Sequence, residues 1–502
     1  MSSSKFDLFP VPSLTPSSIS PARLPGVSPE STAALREALQ ENHEKWHIFF
    51  NDRGFHNHTS HHLLASWSLG ASAPILKATY NAGASYQRPA FKSPEEIDTN
   101  NFNDHLGDEN YYNSYLQFFK KELEAKGFSA TLEEHIFAKK ANFIAGSDKP
   151  QPEMLSRFLG GLLHPLIHTG YGAEFGLPGM LVEGLAQTAV HKADSQHLLP
   201  ALFFDGESAT NGLINRLASA LVLNNQEPRT SSATQPKNVH ALDILARVMK
   251  DTKLDVKNAA FDRSRPGGSY VHVEEHFGED IRKYVEQWTL DTSVPGEVEK
   301  KIEELVWTNS VIYAVPGWKK GERFLADFVF MHFVTSSTFL SSLIPYLKPK
   351  SQELLLRSYF TLCLAFFVAQ GAPKLSIAAF FTETDSYPSP PKSSLPKPHE
   401  DALTGGSADA ALPNAWSSIL QNCIVYPDEH LPKLQRSLAH YSSIYGARQA
   451  GEPDFSATEL EGADKIDGSL FIRAAGLTAD RLGRVQDGMK KEEFWDRISA
   501  AV

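Results

Sequence analysis

The chain has 502 residues, 41% of them hydrophobic and 21% charged, a globular balance that excludes a disordered polymer. A net charge of −11 excludes a nucleic-acid partner, which needs clustered Lys and Arg. The two cysteines, Cys363 and Cys423, give no disulfide framework, and no apolar run long enough for a membrane span or a leader after Met1 is evident. A cytoplasmic location without a membrane partner is therefore expected.

Taken in chain order, residues 1–27 are rich in Ser and Pro and read as an arm over the surface. Helical spacing of apolar residues then predicts helices over Glu44 to Phe50 and Thr59 to Ala71. Further ones are predicted over Glu153 to Ile167, Leu181 to Ala193, Asn211 to Asn224 and Val239 to Lys250. Two long runs follow, Phe324 to Leu347 and Leu354 to Phe380; the first contains Asp327-Phe-Val-Phe-Met-His-Phe-Val, apolar nearly all round and hence a buried central helix. Tyr387 to Ala411 is rich in Pro, Ser and Gly and reads as a surface loop, before helical spacing resumes over Leu431 to Tyr445. Alternating strand patterns are scarce. The expected fold is mainly α, one compact multi-helix domain over 28–502 with a loop insertion around 387–411.

The 19 histidines are unevenly placed. Residues four apart share a helix face, which is how one helix offers two imidazoles to one metal. That spacing recurs at His43/His47, His58/His62, His164/His168 and His272/His276. His164 and His168 close the broadest apolar stripe, in Gly160-Gly-Leu-Leu-His-Pro-Leu-Ile-His, where Pro165 removes a backbone donor and the glycines weaken the helix, so a kink is expected beside His164. His332 stands alone in an apolar helix and gains meaning only by meeting that pair. Around Phe55-His-Asn-His-Thr-Ser-His-His, one of His58 and His62 should point inward; His58 is favoured and His62 is the alternative. Histidines from separate helices would thus gather round one redox metal.

Lys374 lies between Ala365-Phe-Phe-Val-Ala-Gln-Gly-Ala-Pro and Leu-Ser-Ile-Ala-Ala-Phe-Phe, which suggests a buried amine of lowered basicity, able to take up carbon dioxide as a carbamate. The competing reading is a lysine that snorkels to solvent beside Pro373. His272-Val-Glu-Glu-His276 matches an inverted zinc-protease pattern, so a zinc hydrolase using His272, Glu275 and His276 is a rival, although Pro266-Gly-Gly before it suggests a turn. Gly170-Tyr-Gly-Ala-Glu-Phe-Gly176 is a poor dinucleotide fingerprint because its third Gly is one position late.

At several of these segments the chain resembles the questin oxidase-like family, fungal enzymes that oxidatively open anthraquinones and related aromatic polyketides. The resemblance rests on Phe55-His-Asn-His-Thr-Ser-His-His-Leu-Leu, Tyr86-Gln-Arg-Pro and Gly161-Leu-Leu-His-Pro-Leu-Ile-His-Thr-Gly-Tyr-Gly-Ala-Glu-Phe-Gly. It continues in Phe330-Met-His-Phe-Val-Thr-Ser-Ser, Tyr426-Pro-Asp-Glu-His-Leu-Pro-Lys and Asp467-Gly-Ser-Leu-Phe-Ile-Arg-Ala-Ala. It implies an oxygenase acting on a small aromatic polyketide with O2, through Fe(II) held by His58, His164, His168, His332 and a CO2-derived carbamate on Lys374. His62 is then a candidate base for a substrate phenol. The family has also been described as metal-free Baeyer–Villiger-type oxidases using NADPH, and NADPH as a diffusible reductant is compatible with either reading.

Overall fold

The computed structural model describes residues 6–146, 149–204, 238–255, 268–389, 397–482 and 495–496. Its elements are α-helices joined by short 3-10 or π turns, and among the described residues strand pairing is confined to isolated bridges. The fold is mainly α. In chain order the helices are α1 (Pro29–Lys45), α2 (Thr59–Ser68), α3 (Ala73–Ala84), α4 (Tyr112–Lys126), α5 (Phe128–Leu132), α6 (Met154–Phe175) and α7 (Pro178–Val190). There follow α8 (Ala241–Lys250), α9 (Gly268–Val285), α10 (Glu297–Gly317), α11 (Phe328–Ser337), α12 (Leu340–Leu343) and α13 (Pro349–Ala369). The last are α14 (Ile377–Glu383), α15 (Ala408–Ala411), α16 (Ala415–Ile424), α17 (His430–Tyr445), α18 (Pro453–Ser456) and α19 (Leu470–Leu482).

Four helices position the site. α2 and α11 both pack on α6, and both pack on α17, which closes a ring of four. Each is buried over most of its length, and α2 is buried at every residue, so none needs a polar face. Residues 6–27 carry no helix and run past α6 and α7, with Ser13 donating to the Phe175 carbonyl at 2.8 Å and Gly179 to that of Leu8 at 2.7 Å.

Several helix limits differ from expectation, each for a local reason. The helix expected over Glu44 to Phe50 ends at Lys45, because the following backbone pairs with residues 88–90: His47 donates to the Arg88 carbonyl and Ala90 to that of Lys45, both at 2.8 Å. The run Phe324 to Leu347 breaks after Ser337. The Ser336 and Ser337 hydroxyls donate to the Phe333 carbonyl and compete with the helix ladder. The run Leu354 to Phe380 breaks at Gly371 (φ 92°) and Ala372 (φ 42°), which turn the chain out of α13 ahead of Pro373. The helix expected over Asn211 to Asn224 lies outside the described residues.

By length and composition, Phe328–Tyr346 and Pro349–Ala369 are apolar enough to cross a membrane, contrary to the sequence reading; yet 83% and 78% of those windows are buried inside the protein, as in core helices.

Candidate metal centre

The site begins where the chain enters α2. Phe49 and His56 form an antiparallel bridge, and Asn57, whose side-chain oxygen accepts from Thr59 N at 3.0 Å, turns the chain into the helix with His58 at its N-cap. His56, His58, His61 and His62 all lie in the interior.

α6 supplies the second part through the expected kink. Gly161, Leu162 and Leu163 have φ of 52°, 58° and 67°, so the chain makes a left-handed turn just before His164. For the two leucines that conformation costs about 1 kcal/mol or more each, a strain that the packing around α6 must hold. The turn delivers the Gly161 carbonyl to His164 Nδ1 at 2.5 Å. Gly161 itself admits no side chain, because a Cβ there would collide with the His191 ring. The His164 ring is stacked on His56 with centroids 4.0 Å apart, and His56 in turn faces His191 at 5.4 Å.

α11 contributes His332, with no exposed surface, whose Nδ1 lies 2.7 Å from the Phe328 carbonyl one turn back. α17 contributes His430 and, three residues on, Lys433, both buried. The His164, His332 and His430 rings adjoin, at 4.9 Å between the first two centroids and 5.3 Å between the last two. His58 closes the group at 4.8 Å from His164 and 4.7 Å from His430. Ligand atoms of His58, His164 and His430 all lie within 4.8 Å of one another.

The protons decide what this group can hold. A carbonyl only accepts, so His164 Nδ1 and His332 Nδ1 must both carry hydrogen, and each neutral ring then turns a bare Nε2 inward. Glu429 Oε1 lies 3.3 Å from His58 Nδ1 and favours hydrogen there too. His58 Nε2 and His164 Nε2 are only 2.7 Å apart, close enough for a hydrogen bond from His58 Nε2–H or for both atoms to ligate one cation. His332 Nε2, both ring nitrogens of His430 and Lys433 Nζ are buried without hydrogen-bond partners. A cation at their centre satisfies the inward Nε2 atoms and one nitrogen of His430, while His430 Nδ1 lies 3.6 Å from Asp428 Oδ1 and Glu429 Oε1. Outer contacts that fix the tautomer are characteristic of metal-binding imidazoles. Burial, reinforced by neighbouring imidazoles and Lys433, also holds His58, His164 and His332 well below ordinary imidazole basicity, in the neutral form that ligates. Burial lowers Lys433 to about 8, against the pull of Glu429 and Asp428.

Two of the sequence-predicted ligands stand apart from this group. His168 stands in a separate line of contacts, Nδ1 at 3.0 Å from His61 Nε2 and Nε2 at 2.8 Å from Glu183 Oε2. Lys374 is exposed: its segment is extended, so Pro373, Leu375 and Ile377 turn inward while Lys374 and Ser376 face out. The amine at the centre is Lys433. His62 is buried beside the group, with Nε2 unpartnered and its basicity lowered to about 4 chiefly by burial. The rival motif does lie on a helix, α9, with the His272 and His276 rings stacked at 4.3 Å, but Glu275 and His276 are exposed and no third ligand joins them among the described residues. Gly170 to Gly176 runs from α6 into its C-cap and forms no strand-to-helix loop.

His430 and Lys433 escaped the sequence reading as site residues. Their signal is the spacing in Glu429-His-Leu-Pro-Lys433, which sets an imidazole and an amine one turn apart at a helix start.

The chain is 26% identical to Questin oxidase of Aspergillus fumigatus over 491 residues, covering 94% of this chain and 93% of that protein. It is 26% identical to Oxidoreductase AflY of Aspergillus parasiticus over 467 residues, 90% of this chain and 79% of the relative. With Baeyer-Villiger oxidase GME11358 of Pestalotiopsis microspora it shares 28% identity over 367 residues, 70% and 74% of the two chains. The profile of the questin oxidase-like family matches residues 55–438, from the turn before α2 to well inside α17, and the chain belongs to that family.

Proposed function

We propose that this chain is an oxidoreductase that oxidatively cleaves a ring of an anthraquinone-type aromatic polyketide with O2, in fungal secondary metabolism, at a non-haem Fe(II) held by His58, His164, His332 and His430. The names of its relatives, questin oxidase and Baeyer-Villiger oxidase, support ring-opening oxidation as the class of reaction. The observation that carries the metal is the convergence of four buried imidazoles, with His58 Nε2 and His164 Nε2 2.7 Å apart and His332 Nε2 left without a hydrogen-bond partner. Imidazoles suit iron, which when bound supplies oxygen activation and Lewis acidity.

Lys433 serves as the fifth donor in carbamate form. Its neutral Nζ attacks carbon dioxide, an N–C bond forms, one amine proton is released, and a carboxylate remains one turn from His430. Its lowered basicity favours the reacting amine. Glu429 orients His58, Gly161 orients His164 and Phe328 orients His332 through the contacts described above. The Phe328 ring flanks both His332, at 4.6 Å, and His430, at 5.0 Å, and Trp495 lies 6.2 Å from His430 with its indole N–H on Asp428 Oδ1 at 2.8 Å. These rings give the centre an apolar aromatic border suited to a planar polyphenol.

Elemental analysis of the full chain, purified anaerobically without a histidine tag, tests the reading. About one iron per chain is expected, with O2 uptake when a hydroxyanthraquinone is added, measured with and without NADPH. Stoichiometric zinc, or no metal after iron reconstitution, would overturn it.

A further inference from the structure

Beside the four-histidine group runs a second line of polar side chains that metal binding leaves unexplained. His61 Nε2 lies 3.0 Å from His168 Nδ1, His168 Nε2 lies 2.8 Å from Glu183 Oε2, and Glu183 Oε1 lies 2.7 Å from His43 Nδ1. Four helices contribute one member each: α2, α6, α7 and α1. His61, His168 and Glu183 are buried, and the line ends at half-buried His43, which lines a cavity of about 200 Å³ together with Trp46, His47, Phe91 and Tyr112.

The order of donors along this line is fixed from its anionic member. Burial alone would raise the Glu183 carboxyl, but hydrogen bonds from His168 and His43 outweigh it and hold the group at about 2. A carboxylate only accepts, so His168 Nε2 and His43 Nδ1 both donate to it. With a single proton on His168, at Nε2, its Nδ1 is bare and accepts from His61 Nε2–H. His61 in turn keeps a bare Nδ1. That atom is buried, and it has no hydrogen-bond partner. The ring carrying it is stacked on Tyr171 at 5.1 Å and lies 5.5 Å from His58, so it cannot swing away.

We propose that Glu183 and His168 are positioning residues that fix the tautomer of His61, so that His61 Nδ1 offers a lone pair beside the four-histidine group and accepts the hydrogen bond of a phenolic hydroxyl on the substrate. This rests on the anthraquinone reading above and deepens it by naming which histidine takes the hydroxyl: His61, where the sequence had suggested its neighbour His62. The acceptor role is one of hydrogen bonding and tautomer, set through two contacts from a carboxylate remote from the centre.

The tautomer is read directly by ¹⁵N–¹H correlation spectra of the full chain labelled at histidine, without metal or substrate. The wild type is expected to show His61 as the Nε2–H form with a bare Nδ1. Glu183→Gln keeps an acceptor for His168 and should retain that signature, while Glu183→Leu removes it and should leave His61 a mixture of both forms. An Nδ1–H signature in the wild type, or an unchanged one in Glu183→Leu, overturns the positioning role. The acceptor role is read by binding of 1,8-dihydroxyanthraquinone against its dimethyl ether. A preference of about tenfold for the free hydroxyls, the worth of one buried hydrogen bond, is expected in the wild type and in His61→Asn, and none in His61→Leu. Equal binding of both compounds by the wild type overturns the acceptor role. Failure of the wild type to bind either compound overturns the anthraquinone reading instead, and the spectra still decide the tautomer.

Discussion

His164 and His168 stand one turn apart on α6, yet they belong to two chemically opposite regions. Around His164 lie nitrogens without hydrogen-bond partners: His332 Nε2, His430 Nε2 and Lys433 Nζ. Around His168 the line from His61 Nε2 through Glu183 to His43 is paired at every link, and His61 Nδ1 is left buried without a partner. A buried polar group left unpaired costs about 1–3 kcal/mol, so a fold keeps several together only where something else satisfies them. The four-residue spacing on a helix therefore announces a shared face and nothing about a shared partner.

The sharpest way to break this comparison is to remove each histidine in turn. His164→Ala should abolish stoichiometric iron and turnover together. His168→Ala should retain iron on elemental analysis while lowering Tm, since it orphans Glu183 and His61 inside the core. Loss of iron in His168→Ala with retention in His164→Ala would invert the assignment.

Much of the site was legible before the structure. The histidine spacings marked α2 and α6, Pro165 and the paired glycines marked the kink, and the apolar surroundings of His332 marked a core helix. The lysine was not legible, and the reason is geometric. Apolar neighbours suggest burial only if the local period is known. Lys374 sits in an extended stretch, where neighbours alternate in and out, so flanking Leu375 and Pro373 place it outward. Lys433 sits on a helix beside Leu434 and Leu431, and its burial follows from the packing of α17 on α2 and α11, which no local pattern reveals. The breaks after Ser337 and at Gly371 were hidden because apolar spacing continues across them; hydroxyl groups and left-handed residues end those helices.

The two lysines give the next test. Lys433→Ala should reduce iron occupancy severalfold, with partial recovery on adding acetate or formate as a substitute carboxylate. Lys374→Ala, at an exposed position, should leave occupancy unchanged and alter stability by no more than about 0.5 kcal/mol. Full iron loading of Lys433→Ala in the absence of any added carboxylate would rule out the carbamate.

The smallest effect concerns two buried carboxylates with opposite fates. Glu183 is held at about 2 because two imidazoles donate to it against the penalty of burial. Asp327, at the N-cap of α11, is pushed up to about 7, first by burial, which outweighs the amides of Val329 and Phe330 that it accepts, and then by nearby Asp496. One of its oxygens has no partner. Between its unfolded value near 4 and about 7, folded Asp327 holds more proton than the unfolded chain. Its contribution to stability therefore falls as pH rises through that window and levels off above it. Asp327→Asn keeps a side-chain oxygen for the helix cap and carries no charge. Thermal unfolding should show this variant stabler than wild type at pH 8, by roughly 1–3 kcal/mol, and the gain should shrink towards zero at pH 4. A gain that grows on acidification would mean that Asp327 is stabilised as an anion, as Glu183 is, and that burial does not govern it.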